Sequence, residues 1–153
     1  MDEAVQLTLL GRAALAALLG FVIGLEREYR GKSAGDRTFA LLAFGSAAIV
    51  AVGAELLGTS GTSRVIQGVV TGVGFIGGGL IFRGAGGGVR GLTTAAGAWA
   101  ATGIGVITGV GAYLAAALAA ALVVVILELD TLQLFRRIRE QTAAASAGDE
   151  PPG

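Results

Sequence analysis

The chain has 153 residues, of which 54% are hydrophobic, 14% are charged and 27 are glycine, and its formal net charge is zero. A soluble domain carries about 25% charged residues, so this composition excludes an ordinary soluble fold, and its hydrophobicity excludes a disordered chain. The sequence has no cysteine and no histidine, which excludes disulfides, thiolate metal sites and mechanisms that need a Ser–His or Cys–His pair. The composition is typical of a polytopic membrane protein.

Five apolar segments predict membrane-spanning helices, because about 20 apolar residues cross a hydrocarbon core of about 30 Å. In chain order the predicted spans are 5–25, 38–57, 65–82, 92–107 and 112–127. The last two come from one uncharged stretch that is too long for a single span, and we divide it where Gly109 and Gly111 weaken a helix. One long, kinked helix is the alternative. The predicted fold is an all-α bundle of about five glycine-rich transmembrane helices.

Beyond the fifth span, apolar residues alternate with arginines, which predicts an amphipathic helix at the membrane surface as far as residue 140. The segment 141–153 is small and polar and is predicted to be a disordered tail. The expected organisation is therefore one membrane domain, 1–140, followed by this tail.

The cations are distributed unevenly between the two predicted sides. Nine of the eleven fall on one side: Arg27, Arg30, Lys32, Arg37, Arg83, Arg90, Arg136, Arg137 and Arg139. Arg64 is on the other side and Arg12 is inside a span. Because cytoplasmic loops carry an excess of Lys and Arg, this bias predicts an outside N-terminus and a cytoplasmic C-terminus.

Several glycine patterns lie inside the spans. The segment Gly72–Gly77 matches the GxGxxG dinucleotide fingerprint, but it lacks the following acidic residue and sits in an apolar span, so we reject a nucleotide site. Four pairs spaced four apart predict close helix packing instead: Gly20/Gly24, Gly68/Gly72, Gly74/Gly78 and Gly105/Gly109. Packing within the bundle and a dimer seam both remain open.

Polar residues gather at the predicted cytoplasmic ends of the spans. They form a candidate functional cluster: Glu26, Arg27, Glu28, Arg37, Thr38, Arg90, Thr93 and Thr94. The five charged members are expected to form one partly buried network, and Glu26, Glu28 and Asp36 are candidate ligands for Mg²⁺, which prefers oxygen donors. The alternative is that the charges only set the orientation of the protein in the membrane and that Thr93 or Thr94 caps the fourth helix. No catalytic residue and no resident cofactor is predicted.

Arg12 and Glu55 are the charged residues within the first two spans. Counted along their helices from the cytoplasmic side, they lie at similar heights in the outer half of the membrane. They are therefore candidates for an intramembrane pair between the first two spans. The alternative is that Arg12 extends to water and Glu55 lies among the headgroups.

Four segments make the chain resemble the MgtC/SapB family of bacterial inner-membrane proteins. They are GLERE at 24–28, AGDRT at 34–38, GVVTGVGFIGGGLI at 68–81 and VRGLTTAAGAWATGIGVITGVG at 89–111. The sequence departs from the family pattern at Asp36, where leucine is usual, and at Phe39, where histidine is frequent. We expect the short form of the family, without the soluble C-terminal domain of its longer members.

The resemblance implies an inner-membrane protein linked to magnesium homeostasis, adaptation to low magnesium and, in pathogens, virulence. It implies a non-enzymatic regulator that works through membrane partners such as the ATP synthase. We further expect contact with the lipid bilayer and a homo-oligomer. An oligomeric transporter or channel for magnesium or another ion is the alternative. An enzyme is the weakest hypothesis, because the sequence has neither histidine nor cysteine, and nothing in it suggests binding to nucleic acid.

Overall fold

A computed structural model describes residues 1–83 and 88–129 of the chain. Five helices account for most of this part: α1 (Glu3–Tyr29), α2 (Asp36–Leu56), α3 (Gly58–Gly79), α4 (Leu92–Gly109) and α5 (Tyr113–Glu128). Two short antiparallel strands, β1 (Phe82–Arg83) and β2 (Val89–Arg90), lie between α3 and α4. The predicted surface helix as far as residue 140 and the predicted tail 141–153 lie outside the described residues.

The first two helices form a closely packed antiparallel hairpin. A Cβ atom added at Gly20 would lie 2.5 Å from the carbonyl oxygen of Phe39, and one added at Gly24 would lie 2.5 Å from the Cα atom of Asp36. Only a bare backbone fits at such distances, because a methyl group needs about 3.5 Å. These two glycines therefore set the spacing between α1 and α2.

Helix α4 runs parallel to α2 along its whole length. Gly97 lies against the ring of Phe39 near the start of both helices, and Gly109 lies against Ala47 further along. Between these contacts, Ser46 Oγ donates to the carbonyl oxygen of Thr102 at 3.0 Å. Helices α2 and α4 therefore form the centre of the bundle, with α1 against both of them.

The remaining helices complete an up-and-down arrangement. Helix α3 packs against α2 and α4, and α5 packs against α1 and α4. Gly53 near the end of α2 meets Val65 near the start of α3, and Gly77 near the end of α3 meets Ala95 near the start of α4. Each helix is therefore antiparallel to the one that follows it.

This arrangement brings most of the cations to one end of the bundle, where α1, α3 and α5 end and α2 and α4 begin. We call it the basic end. Its cations among the described residues are Arg27, Arg30, Lys32, Arg37, Arg83 and Arg90. Arg64 lies in the other half of the bundle, in the second turn of α3.

Small residues dominate the interior, while large apolar residues face outward. The largest fully buried side chains are Phe39, Ile23, Ile104, Val50 and Thr108, and most of the remaining core is alanine. Helices α1 and α2 are long and apolar enough to cross a membrane, and α5 is a shorter apolar helix. The prediction of an all-α membrane bundle is confirmed.

Helix α3 begins earlier than the apolar pattern indicates. The third span is predicted at 65–82, whereas the helix starts at Gly58, directly after Leu57. Hydropathy indicates which residues suit the hydrocarbon core and says little about helicity, so it does not detect the polar first turns of α3. Gly58 has φ +62°, a left-handed conformation that glycine adopts without strain and that reverses the chain sharply here.

Candidate functional site

A buried ion pair lies at the basic end of α1. Arg27 is 2% exposed, and the side chain of Glu26 is 7% exposed. The guanidinium binds the carboxylate through two hydrogen bonds, Nε to Oε2 and Nη2 to Oε1, the latter at 2.6 Å. The third nitrogen, Arg27 Nη1, is buried without a hydrogen-bond partner. The charge of Arg27 therefore depends on Glu26 for its compensation.

Arg30 links this pair to the last helix. Its Nε atom lies 3.5 Å from Glu26 Oε1, and its Nη2 atom donates to Oε2 of Glu128 near the end of α5. The observed group therefore consists of Glu26, Arg27, Arg30 and Glu128, with two positive and two negative charges. Glu128 is not among the predicted site residues. The signal for it in the sequence is an acid directly after the uncharged stretch, at the predicted cytoplasmic side.

The structure brings together only part of the predicted charge network. Among the described residues, Glu28, Arg37 and Arg90 form no ion pair, and all three are exposed. The carboxylate of Glu28 lies against Gly35 in the turn between α1 and α2. Arg90 lies in β2, where it pairs with Phe82 of β1. In place of the predicted five-residue network, the structure has the buried Glu26–Arg27 pair, which the partly exposed Arg30 links to Glu128.

The threonines of the candidate cluster do not cap α4. Gly91 is the N-cap, with φ +88° and no side-chain hydrogen bond, because the chain turns sharply there beside Leu80. Thr94 is buried, Thr93 is exposed and Thr38 is half-buried in the first turn of α2. The capping hypothesis for Thr93 and Thr94 is therefore wrong.

The three candidate magnesium ligands are not gathered into one site. Among the described residues, no group of three Asp, Glu, His or Cys side chains lies close enough to bind a metal together. Both oxygens of Glu26 accept from Arg27, and Asp36 Oδ1 accepts from the backbone N–H of Arg37 at 2.6 Å. The carboxylates here stabilise an arginine and a helix start.

Arg12 binds α4 and α5 and does not meet Glu55. Its Nη1 atom donates to the carbonyl oxygen of Gly109 at 3.0 Å, and its Nε atom donates to Tyr113 Oη at 3.2 Å. A cation at the end of α4 interacts favourably with the unpaired carbonyls and the helix dipole. No ion pair joins Arg12 to Glu55, which is exposed, so the predicted pair is not formed. Their similar height left open which way each side chain points.

The four predicted glycine pairs divide into two groups. Gly20/Gly24 and Gly105/Gly109 lie directly against neighbouring helices, and a Cβ atom added at Gly105 would lie 2.4 Å from the carbonyl oxygen of Ala43 in α2. Around Gly68, Gly72, Gly74 and Gly78 no atom lies within 4 Å of an added Cβ. Segment 72–77 is helical throughout, whereas a dinucleotide fingerprint needs a strand, a turn and a new helix. The glycines of α3 therefore leave an open face.

Comparison with known proteins adds sequence relatives to this geometry. Residues 13–134 match the MgtC family. Protein MgtC of Brucella abortus (strain 2308) is 41% identical over 111 residues, which cover 72% of this chain and 46% of the relative. Protein MgtC of Salmonella typhi is 39% identical over 132 residues, which cover 86% of this chain and 56% of the relative. Protein SrpB of Synechococcus elongatus is 44% identical over 113 residues, which cover 65% of this chain and 62% of the relative.

The chain spans about half the length of the curated relatives it matches. No solved structure matches it significantly.

Proposed function

The chain belongs to the MgtC family, and from that membership we propose that it is a regulator of magnesium homeostasis that acts through protein partners and catalyses no reaction. We place it in the bacterial inner membrane. The link to magnesium rests on the resemblance of its motifs to the MgtC/SapB family. What supports partner binding is the organisation of the basic end.

The observation that carries the proposal is the contrast between buried and exposed charges at the basic end. The buried Glu26–Arg27 pair and its link through Arg30 to Glu128 connect α1 with α5. Next to this group, exposed charges remain without ion pairs among the described residues, namely Glu28, Lys32, Arg37 and Arg90. Exposed charges beside a group of charges that already compensate one another are suited to electrostatic recognition of another protein.

The proposed orientation of the bundle is supported by the same charges. Six cations of the described residues lie at the basic end, and a single one, Arg64, lies towards the opposite end outside the first span. The Lys and Arg bias of cytoplasmic segments supports a cytoplasmic basic end and an outside N-terminus. A cytoplasmic partner or a membrane partner with a cytoplasmic surface, such as the ATP synthase suggested by the resemblance, can then reach the exposed charges.

The proposal is tested by growth in low-magnesium medium of a strain whose own copy has been deleted. The double variant Arg37→Glu/Arg90→Glu reverses two exposed charges and should abolish complementation while the protein remains folded and present at wild-type amounts. Arg64→Glu is the matched control, since Arg64 is also exposed but belongs to the other half of the bundle, and it should complement fully.

A benzophenone amino acid at Tyr29, which is 89% exposed at the basic end, should capture the partner in wild-type cells. Its yield should fall in the double variant. Full complementation by Arg37→Glu/Arg90→Glu would refute the role of this surface.

A further inference from the structure

Arg12 differs from Arg27 and Arg30 in the charge of its partners. Arg27 and Arg30 each lie beside a carboxylate, whereas Arg12 forms no ion pair with any acid of the described residues. Its two hydrogen bonds go to uncharged acceptors, the carbonyl oxygen of Gly109 and the hydroxyl of Tyr113. The positive charge of Arg12 is therefore uncompensated in the part of the chain that the structure describes.

The guanidinium of Arg12 lies on the turn between α4 and α5. A Cβ atom added at Gly111 would lie 3.5 Å from its Nη2 atom and 3.6 Å from its Cζ atom. Gly109 accepts from Nη1 on one side of this glycine, and Tyr113 accepts from Nε on the other. The two hydrogen bonds and the contact with the turn fix the guanidinium in one orientation.

Hydrogen-bond donors remain free in this arrangement. A guanidinium has N–H groups on all three nitrogens. Nη2 of Arg12 has no acceptor among the described residues, and it is not a buried atom. The hydroxyl of Tyr113 accepts from Arg12, its own O–H has no acceptor in the same part of the chain, and the residue is 45% exposed. An anion can therefore reach a positive charge together with donors from both side chains.

The site lies near the edge of the membrane, away from the basic end. Counted along the helices, Arg12 is about 25 Å from the end of α1, and Gly109 is about 25 Å from the start of α4. The hydrocarbon core of a bilayer is about 30 Å thick. The guanidinium is thus close to the headgroups of the leaflet opposite the basic end, where an uncompensated cation is stabilised by an anion.

We propose that Arg12 and Tyr113 bind the phosphate group of one phospholipid in the leaflet opposite the basic end. Arg12 donates from Nη1 and Nη2 to two phosphate oxygens, since its planar fork matches the geometry of phosphate. The O–H of Tyr113 donates to the same group. The inference requires only that the bundle lies in a membrane, so it does not depend on the proposed magnesium-related role.

Apolar side chains beside the site favour a lipid over a phosphate ion from solution. Val110 follows Gly109 and is 45% exposed, and Leu114 follows Tyr113 and is 75% exposed. A phosphate ion would lose part of its hydration shell next to these side chains, which costs free energy. A phospholipid already holds its phosphate at this depth, and its acyl chains can cover the same side chains.

Carbon–phosphorus distance measurement by solid-state NMR tests the site in the wild-type protein. Gly11–Arg12 is the only glycine–arginine step in the sequence. Labelled glycine carbonyl and labelled arginine therefore select the signal of Arg12 through this peptide bond, in vesicles of phosphatidylethanolamine and phosphatidylglycerol. A hydrogen-bonded phosphate places phosphorus about 4 Å from Cζ. Dipolar recoupling to phosphorus should therefore remove most of the Cζ intensity of Arg12.

Arg64 is the matched control in the same sample. It is exposed in the same half of the bundle and forms no ion pair among the described residues, and Ser63–Arg64 is the only serine–arginine step. Its side chain is free to move, which averages the coupling, so most of its Cζ intensity should remain. Unchanged intensity at Arg12 would mean that water alone covers the guanidinium. Equal losses at Arg12 and Arg64 would indicate unspecific contact with headgroups, and either result would overturn the proposal.

A second preparation separates a lipid phosphate from a free phosphate. In vesicles of a galactolipid, which contains no phosphorus, with inorganic phosphate in the buffer, the Arg12 signal should keep its intensity. A loss there as large as in phospholipid vesicles would identify a site for free phosphate and overturn the assignment to a lipid.

Tyr113→Phe removes the hydroxyl and retains the ring. In phospholipid vesicles the loss of Arg12 intensity should become clearly smaller in this variant, because the guanidinium loses an acceptor that fixes it and the phosphate loses a donor. Tyr29→Phe is the control, since Tyr29 is 89% exposed at the basic end, and it should behave as the wild type. An unchanged loss in Tyr113→Phe would contradict a site built from both side chains.

Discussion

Replacing Glu26 with glutamine removes the charge that compensates a buried arginine. Arg27 is 2% exposed, it makes both of its side-chain hydrogen bonds to Glu26, and its Nη1 atom already lacks a partner. In Glu26→Gln the guanidinium keeps its position and its charge but loses the carboxylate. Arg30 cannot take over, since it is itself a cation.

The expected loss follows from burial. Removing one partner of a buried ion pair costs about 3–5 kcal/mol, because it leaves an uncompensated charge in a poorly solvated place. Glu128→Gln is the internal comparison: its side chain is 44% exposed and its partner Arg30 is 29% exposed. Water screens such a pair, so we expect this second variant to lose at most about 1 kcal/mol.

Reversible unfolding in mixed detergent micelles, titrated with a denaturing detergent and followed by circular dichroism, measures both losses. The double variant Glu26→Gln/Arg27→Met should recover much of the stability, since it removes the buried charge together with its partner. A loss below about 1 kcal/mol for Glu26→Gln, equal to that for Glu128→Gln, would refute the argument from burial.

Three further predictions concern packing, the Arg12 site and topology. Gly105→Ala should destabilise the protein by about 1–3 kcal/mol in the same detergent titration, because the added methyl group would overlap α2. Gly103→Ala, on the open side of the same helix, is the control and should be neutral or stabilising by up to about 1 kcal/mol. A double-mutant cycle of Arg12→Leu and Tyr113→Phe should give a coupling of at least about 0.5 kcal/mol, and strict additivity would contradict the observed hydrogen bond. A cysteine at Ser33 should react with a membrane-impermeant maleimide only from the cytoplasmic side. Labelling of this cysteine in intact cells would show that the orientation is the reverse of the one proposed.

The helices were accessible from the sequence because their signals are local. Hydropathy and helix-breaking glycines act over one or two turns, so the division near Gly109 and Gly111 can be predicted from the sequence alone. In the structure α4 ends at Gly109, and Gly111 has φ +93°. The two short strands beside Arg83 gave no comparable signal, since two residues are too few for an alternating pattern.

The side-chain partners depend on which helices become neighbours, and this information is not local. Arg12 and Glu55 have similar predicted depths, but Arg12 points towards α4 and α5, where the carbonyl oxygen of Gly109 accepts its hydrogen bond. Likewise, Glu128 meets Arg30 only because α5 lies beside α1. Depth can be counted along a helix, whereas the direction of a side chain depends on packing.

The glycine pairs illustrate the same limit. The four-residue spacing is identical for Gly20/Gly24 and Gly68/Gly72, yet the first pair lies against α2 and the second pair faces outward. Spacing identifies a bare strip on a helix, and the partner of that strip is decided by the arrangement of the other helices.

Magnesium flux through the purified protein tests most directly whether it is a regulator or an ion carrier. Proteoliposomes that contain the wild-type protein and a Mg²⁺-sensitive dye are exposed to an inward Mg²⁺ gradient at defined membrane potentials, beside protein-free vesicles of the same lipids. A regulator that acts through partners predicts equal fluorescence traces for both preparations. Dye fluorescence that rises with the amount of protein would contradict the account and identify an ion pathway.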